Sequence, residues 1–508
     1  MNSLLLSRRQ FLTRVGVVGG CAALPPRIFA AAEPSAWDPN RPFPRIGQAL
    51  RVQPVLMYSL PTRREQASWK SWGGIQTEAA VAEEGERIAG ELARLTAAAE
   101  FSVEFLPLAR VTTPQAAASL SQSQADVTLL YACTGSGDVL RACLGVRPDT
   151  VIFVRHKSGP VYYWYEALSV RYLQTGDAES PNPEATKAPA PHVDDVVVDD
   201  TGELLWRLRA LFALKNLRGS RVVALGGAWG KYASDAPRLA EERYGFKIID
   251  VPYADFEPRL KRAQADPAKM AAAERGAAEY LKLPRTSLET ERRFVTNAFL
   301  LHRLFAELME ENAATVFTIK SCMGTIIPMA QTTACLTLAL LNDEGPMAFC
   351  ESDFVIIPAG ILLRYLAGRP VFLHNSTFPH QATVTCAHCT CPRRLDGRTY
   401  APARIETHYE SEYGAAPKVE MPIGQEVTFI DPEYSTRRWV GFTGEVEANP
   451  DYAICRSQQD VKIRGNWRRL VSEVRDSHWV MAYGHHLDAI GYALRKLGME
   501  WVNLSERS

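Results

Sequence analysis

Apolar and polar positions alternate in two distinct ways along this 508-residue chain, and the changes between them divide it into segments. Apolar runs at Val52–Leu60, Val103–Leu108, Val127–Cys133 and Val151–Val154 have the length of buried strands, while Glu78–Ala99 carries apolar residues at helical spacing. Strands alternating with a helix predict a βαβ module with a parallel sheet over residues 45–174. Between Thr175 and Asp200 the chain turns to Pro, Ala and acid, with Pro181, Pro183, Pro189 and Pro191 close together, which predicts an exposed linker or long loop. A second α/β pattern occupies 201–418: helix Glu203–Leu217, strand Arg221–Leu225, helix near Asp235–Arg243, strand Lys247–Val251, charged helices across 254–313, strand Thr315–Ile319 and helix Met329–Leu341. From Val419 the runs shorten to Glu426–Ile430, Trp439–Val446, Asp460–Arg464 and Trp479–Tyr483, followed by an amphipathic helix, Leu487–Leu497. The expected fold class is α/β: two α/β domains, then a β-rich, barrel-like C-terminal domain over 419–508.

Composition agrees with a packed, water-exposed chain of several domains, at 46% hydrophobic and 22% charged. Lys+Arg and Asp+Glu both number 57, so no single-sign field favours nucleic acid or an anionic membrane surface. The expected partner is small or neutral.

At the N-terminus, Ser7-Arg8-Arg9-Gln10-Phe11-Leu12 resembles a twin-arginine export motif. An acid-free apolar stretch follows from Val15 to Leu24, and Ala30-Ala31-Ala32 precedes Glu33, so residues 1–32 are read as a signal peptide cut after Ala32. This implies passage through the twin-arginine translocase to the periplasm. The apolar run falls well below the ~20 residues that span a bilayer, and no later stretch is free of charges or punctuating Gly and Pro, so no transmembrane anchor is expected in the mature chain. Val18-Gly19-Gly20-Cys21 loosely resembles a lipobox, which leaves lipid attachment through Cys21 as an alternative.

Of the 10 cysteines, removal of the signal peptide takes away Cys21 and leaves an odd number. Cys133, Cys143, Cys335 and Cys350 sit in apolar stretches, as small buried hydrophobes do, and a disulfide framework is not expected in so large a chain. Cys386-Ala387-His388-Cys389-Thr390-Cys391 has ligand-like spacing, but no second ligand pair of similar spacing is evident to complete a zinc site. Gly226-Gly227-Ala228-Trp229-Gly230-Lys231 follows a strand yet lacks both phosphate-loop spacings, so it reads as a tight turn.

The richest segment runs from Lys320 to His388. There the apolar run Met347-Ala348-Phe349-Cys350 ends on Glu351-Ser352-Asp353. A carboxylate beside buried apolar residues needs a cation or a partner, which makes Glu351 a candidate ligand. Asp353 also suits the first turn of a helix over Phe354–Leu366.

The pattern L-x-L-L-N-D-E-G-P-M-A-F-C-E-S-D over Leu338–Asp353 resembles the metal-site region of the L-fucose and L-arabinose isomerase-like superfamily. Phe372-Leu373-His374-Asn375, Ala387-His388-Cys389, Thr407–Gly414, Gly424-Gln425-Glu426-Val427-Thr428 and Gly484-His485-His486 follow in that family's order. The resemblance implies flavodoxin-like or Rossmann-like α/β domains, a homo-oligomer, and a divalent cation, commonly Mn²⁺, held by two carboxylates and one or two histidines. Carried over by position, Glu351 is the first acid, His388 the middle histidine, and His485 or His486 the C-terminal one. Asn375 stands at the second acid's place. Asn can donate an oxygen but cannot act as a base, so either Asp353 takes over, or metal binding is weakened, or isomerisation is lost. Two readings follow: a metal-dependent aldose–ketose isomerase acting on a sugar or polyol, and an exported carbohydrate-binding protein that does no chemistry. Aldose–ketose isomerisation needs a proton removed beside a carbonyl, for which a carboxylate base and a hard cation with oxygen and imidazole ligands are suited.

Replacing Arg8 and Arg9 together with Lys is expected to leave uncut precursor in the cytoplasm, as read by cell fractionation. A normal exported yield of mature chain from that variant contradicts the twin-arginine reading.

Overall fold

A computed structural model of the protein describes residues 37–162, 192–433 and 437–505. The expected signal peptide, Cys21 and most of the expected linker lie outside these residues.

The first sheet is built from β1 (Leu50–Met57), β2 (Val103–Phe105), β3 (Ala109–Val111), β4 (Val127–Ala132), β5 (Thr150–Val154) and β6 (Val196–Val198). Its order is β2-β1-β4-β5-β6, with β3 also on β1, and every pairing is parallel. Strands β4 and β5 are buried throughout, as a sheet covered on both faces requires. Helix Glu78–Ala98 packs there through Val81, Ile88, Leu92 and Leu95, and the Thr77 hydroxyl caps it by accepting from the Ala80 N–H. β6 comes from the end of the segment expected to be a linker. Its Val-Val-Val run pairs with β5, so tertiary pairing captures residues that the Pro-rich flank made look irregular.

The chain continues through β7 (Arg221–Leu225), β8 (Lys247–Val251), β9 (Thr286–Leu288), β10 (Val316–Ile319) and β11 (Met347–Phe349). Four of these form a second parallel sheet in the order β11-β10-β7-β8. The helix expected over Met329–Leu341 is in fact two, Cys322–Ala330 and Cys335–Glu344, meeting at 92°. Gln331 takes a left-handed φ of 52°, and the next two hydroxyls bond away from the helix, Thr332 to the Phe294 carbonyl and Thr333 to that of Ala415. Those tertiary bonds break a stretch whose composition alone reads as continuous. The turn expected at Asn342–Gly345 is the last helical turn, stopped by Gly345. Among the described residues no single helix is long and apolar enough to cross a membrane.

The last region contributes β12 (Phe372–Ser376), β13 (Thr383–His388), β14 (Ala403–His408), β15 (Tyr413–Val419), β16 (Glu426–Pro432), β17 (Arg438–Ala448), β18 (Ser457–Arg464), β19 (His478–Tyr483) and β20 (Glu500–Asn503). Six of them close an antiparallel barrel in the order β16-β19-β12-β13-β18-β17 and back to β16. β20 lies parallel on β17, while β14 joins β15 and β9 in a small separate sheet. The barrel thus starts at Phe372, well before the change of pattern at Val419. Phe429 stacks on Phe442 at 4.5 Å, and Trp479 packs edge-on to both.

His374 sits fully buried among Phe372, Phe429 and Trp479, with Ser376 Oγ on its Nδ1 at 3.1 Å and no partner for Nε2. Burial pushes its pKa down from 6.5 to about 3. The unfolded chain therefore takes up a proton that the fold refuses. This contribution to stability is complete above about pH 6.5 and is lost as pH falls towards about 3, at up to about 1.4 kcal/mol per pH unit. In denaturant titrations between pH 6.5 and 4, the variant His374→Phe is expected to lose stability less steeply than the wild type by that amount; parallel curves contradict the assignment.

Candidate metal centre and its cavity

In a parallel sheet every strand ends on the same side, and the loops that leave those ends carry the side chains that meet a ligand. Here β7 leads to Trp229 and Lys231, β10 to Lys320 and Cys322, and β11 to Glu351. The end of β13 and its neighbour β12 add His388 and Asn375, and together they enclose a cavity of about 830 Å³. Gly226 makes the first of these loops possible. Its φ is 83°, and a β-carbon there would stand 2.5 Å from the Tyr253 ring and 3.0 Å from the Lys320 carbonyl oxygen.

The turn after β11 is strained. Glu351 and Ser352 hold φ of 63° and 55°, conformations that non-glycine residues adopt only when their surroundings enforce them. Trp229 supplies that enforcement: its indole N–H donates to the Glu351 carbonyl, its backbone N–H to Ser352 O at 3.4 Å, and its carbonyl accepts from Phe354 N at 2.9 Å. The turn thereby aims Glu351 at two imidazoles.

Glu351, His388 and His478 bring their ligand atoms within 4.8 Å of one another, the one such group among the described residues that can hold a metal ion. Glu351 Oε1 is 3.9 Å from His388 Nε2, and Oε2 is 3.4 Å from His478 Nε2. Two donors each ~2.1 Å from one ion stand at most ~4.2 Å apart, so these separations suit a shared cation. One carboxylate and two imidazoles are a donor set for Mn²⁺, Fe²⁺ or Zn²⁺. Burial works to raise the Glu351 pKa, but the hydrogen bonds and charges of His388 and His478 outweigh it and hold the carboxyl far below its usual range. Burial lowers the pKa of His388, keeping it neutral, and with its hydrogen on Nδ1 it can donate to Thr390 Oγ1 at 3.0 Å while Nε2 faces the cavity.

His478 behaves differently. Burial opposes its charge, yet hydrogen bonds to Asp353 and Glu351 prevail and raise its pKa to about 9. Asp353 Oδ2 lies 2.7 Å from His478 Nδ1, while Oδ1 accepts from the N–H groups of Lys231 at 2.9 Å and Val355 at 3.1 Å. The pair is entirely buried. Lys231 Nζ stands 3.2 Å from His478 Nε2 and 3.7 Å from Glu351 Oε2.

The structure thus brings together two of the residues expected from the sequence, Glu351 and His388. Asp353, expected to act on substrate or metal, is enclosed and orients His478 instead. Asn375 lies on the cavity wall, paired across the strands with His478, but outside the donor trio. His485 and His486 are not in it. They follow the far end of β19, whose rise of ~3.3 Å per residue separates Tyr483 from His478 by ~16 Å. His485 is exposed, 4.0 Å from Glu426 Oε1, and His486 Nε2 pairs with the Tyr483 carbonyl at 3.0 Å. Sequence reasoning passed over His478 and Lys231. The available indications were a histidine at the first position of an apolar strand, and a lysine closing a Gly-rich loop at the C-terminal end of a parallel strand.

No protein-family model matches the chain, and comparison with curated proteins gives no match.

Calorimetric titration of Mn²⁺ or Zn²⁺ into the purified chain tests the centre. Asp353→Asn is expected to weaken binding by about 10–100-fold, since it unsettles a ligand's orienting partner. Lys231→Met removes a positive charge beside the donors and is expected to tighten it. Because His478 holds a proton until about pH 9, binding releases it, and affinity is expected to rise by up to about tenfold per pH unit below that value. Titrations indifferent to both substitutions and to pH contradict the assignment.

Proposed function

We propose that this is a metal-dependent, sugar isomerase-like protein of the periplasm, delivered there through the twin-arginine translocase. Its two parallel sheets are read as belonging to two flavodoxin-like or Rossmann-like α/β domains, and its barrel to a β-rich C-terminal domain. The observation that carries the functional reading is the convergence of Glu351, His388 and His478 inside a cavity of sugar-accommodating size at the C-terminal edge of a parallel sheet. Mn²⁺ is the ion favoured by the resemblance to L-fucose and L-arabinose isomerases, and the oxygen and imidazole donors suit it.

When bound, a divalent ion supplies the charge that stabilises an oxyanion growing on a substrate carbonyl while a proton leaves the adjacent carbon. The chain's own groups do the rest. Asp353 fixes the ring of His478 through Nδ1, leaving Nε2 for the ion. Lys231 offers a second positive charge on a flexible stem next to the donors, and Asn375 and Thr377 present polar atoms for hydroxyl groups on the cavity wall. With Asp353 enclosed, proton transfer falls to Glu351 or to Glu410, the other carboxylate lining the cavity.

Asn375 favours the second reading, a carbohydrate-binding protein without turnover, because an amide cannot take a proton. The two readings separate in deuterated water. The Mn²⁺-loaded chain is incubated with a panel of aldoses, ketoses and polyols, and exchange of the proton beside the carbonyl is followed by NMR. Isomerisation is expected to leave deuterium in the product, and Asn375→Asp to raise the rate by on the order of tenfold. Saturable binding without exchange establishes the binding protein, and absence of both binding and exchange with any divalent ion overturns both readings.

A further inference from the structure

Five of the described cysteines line the same cavity: Cys322, Cys335, Cys350, Cys389 and Cys455. They form two groups. Cys335, Cys389 and the partly exposed Cys455 pack together on the barrel side, and Cys322 and Cys350 lie against each other on the sheet side. The second pair has what thiol chemistry requires. Cys322 is the first residue of helix Cys322–Ala330, and Ser321 before it is held at a left-handed φ of 55°. That turn lets the N–H groups of Cys322 and Met323 point at the Cys322 sulfur. The Cys350 thiol donates to the same sulfur, so that sulfur rests on a helix N-terminus with a second thiol and two backbone N–H groups turned towards it.

We propose that Cys322 and Cys350 form a thiol–disulfide exchange site on the cavity wall that takes a small disulfide of the glutathione disulfide class. The Cys322 thiolate, its proton released to solvent, attacks one sulfur of RS–SR; that S–S bond breaks and RS⁻ departs. Cys350 gives its proton to the departing thiolate and attacks the Cys322 sulfur, expelling the second RS⁻, which takes a proton from solvent. Two protein thiols are oxidised to one disulfide, and one small disulfide is reduced to two thiols. Cys350 resolves the mixed disulfide because its sulfur already rests on that of Cys322. The reaction needs no metal, so it stands apart from the isomerase-like reading.

The test mixes the reduced full chain with glutathione disulfide, alkylates the remaining thiols and maps the peptides at successive times. In the wild type a Cys322–Cys350 cross-link is expected to form before Cys455, the most exposed thiol of the cavity, is modified, and dithiothreitol is expected to reverse it. Cys350→Ser is expected to stop at a glutathione adduct on Cys322, and Cys322→Ser to leave Cys350 unmodified. Modification of Cys455 or Cys389 ahead of Cys322 in the wild type overturns the proposal without recourse to a variant. An unmodified Cys322 in a folded Cys350→Ser chain does the same.

Discussion

A carboxylate and an imidazole sealed from water must satisfy each other, and the Asp353–His478 pair is where the protein meets that requirement. Leaving either partner alone would strand a buried charge at a cost of about 3–5 kcal/mol. Asp353 meets it with both oxygens, one on the His478 ring and one on the backbone N–H groups of Lys231 and Val355. Those four residues belong to the loop after β7, the turn after β11 and the first position of β19. One carboxylate therefore fastens the edge of a parallel sheet to the rim of an antiparallel barrel. The cavity is the space left around that fastening, and the aim of Glu351, two residues earlier, follows from the same turn.

What could be read from the sequence was whatever periodicity and burial fix locally. The strands Arg221–Leu225 and Lys247–Val251 match their expected limits because apolar runs of that length between charged helices have few other uses. Glu351 was legible because an acid closing an apolar run has to be explained by a partner. His478 was not, since a histidine leading into Trp479 and Val480 looks like one more residue of a strand. The pair His485-His486 drew attention by its chemistry, yet strand pitch carries it to the wrong end of β19. The break between the helices at Ala330 and Cys335 was equally hidden, because the hydroxyls that cause it bond to Phe294 and Ala415, far away in sequence.

The chemical character of the cavity is mixed. Its sheet side combines a strained carboxylate turn with a helix N-terminus and two thiols, and its barrel side combines imidazole with three more. Hard oxygen donors and soft sulfur thus share one enclosure without sharing ligand distance, since the trio within 4.8 Å excludes every cysteine. Proton and ion chemistry on one set of groups and electron-pair chemistry on the other can coexist because the ligating atoms differ in softness.

The three candidate ligands come from a turn at residue 351, the end of a strand at 388 and the start of another at 478. No segment of the unfolded chain carries more than one of them, so a nascent or unfolded polypeptide does not present this donor set. The centre can be filled only once sheet and barrel have met. Intrinsic affinity would then rank zinc above manganese, but the ion actually acquired depends on which metals are free in the surroundings where folding is completed. The place and moment of maturation, as much as the donor set, would decide which metal such a centre takes up.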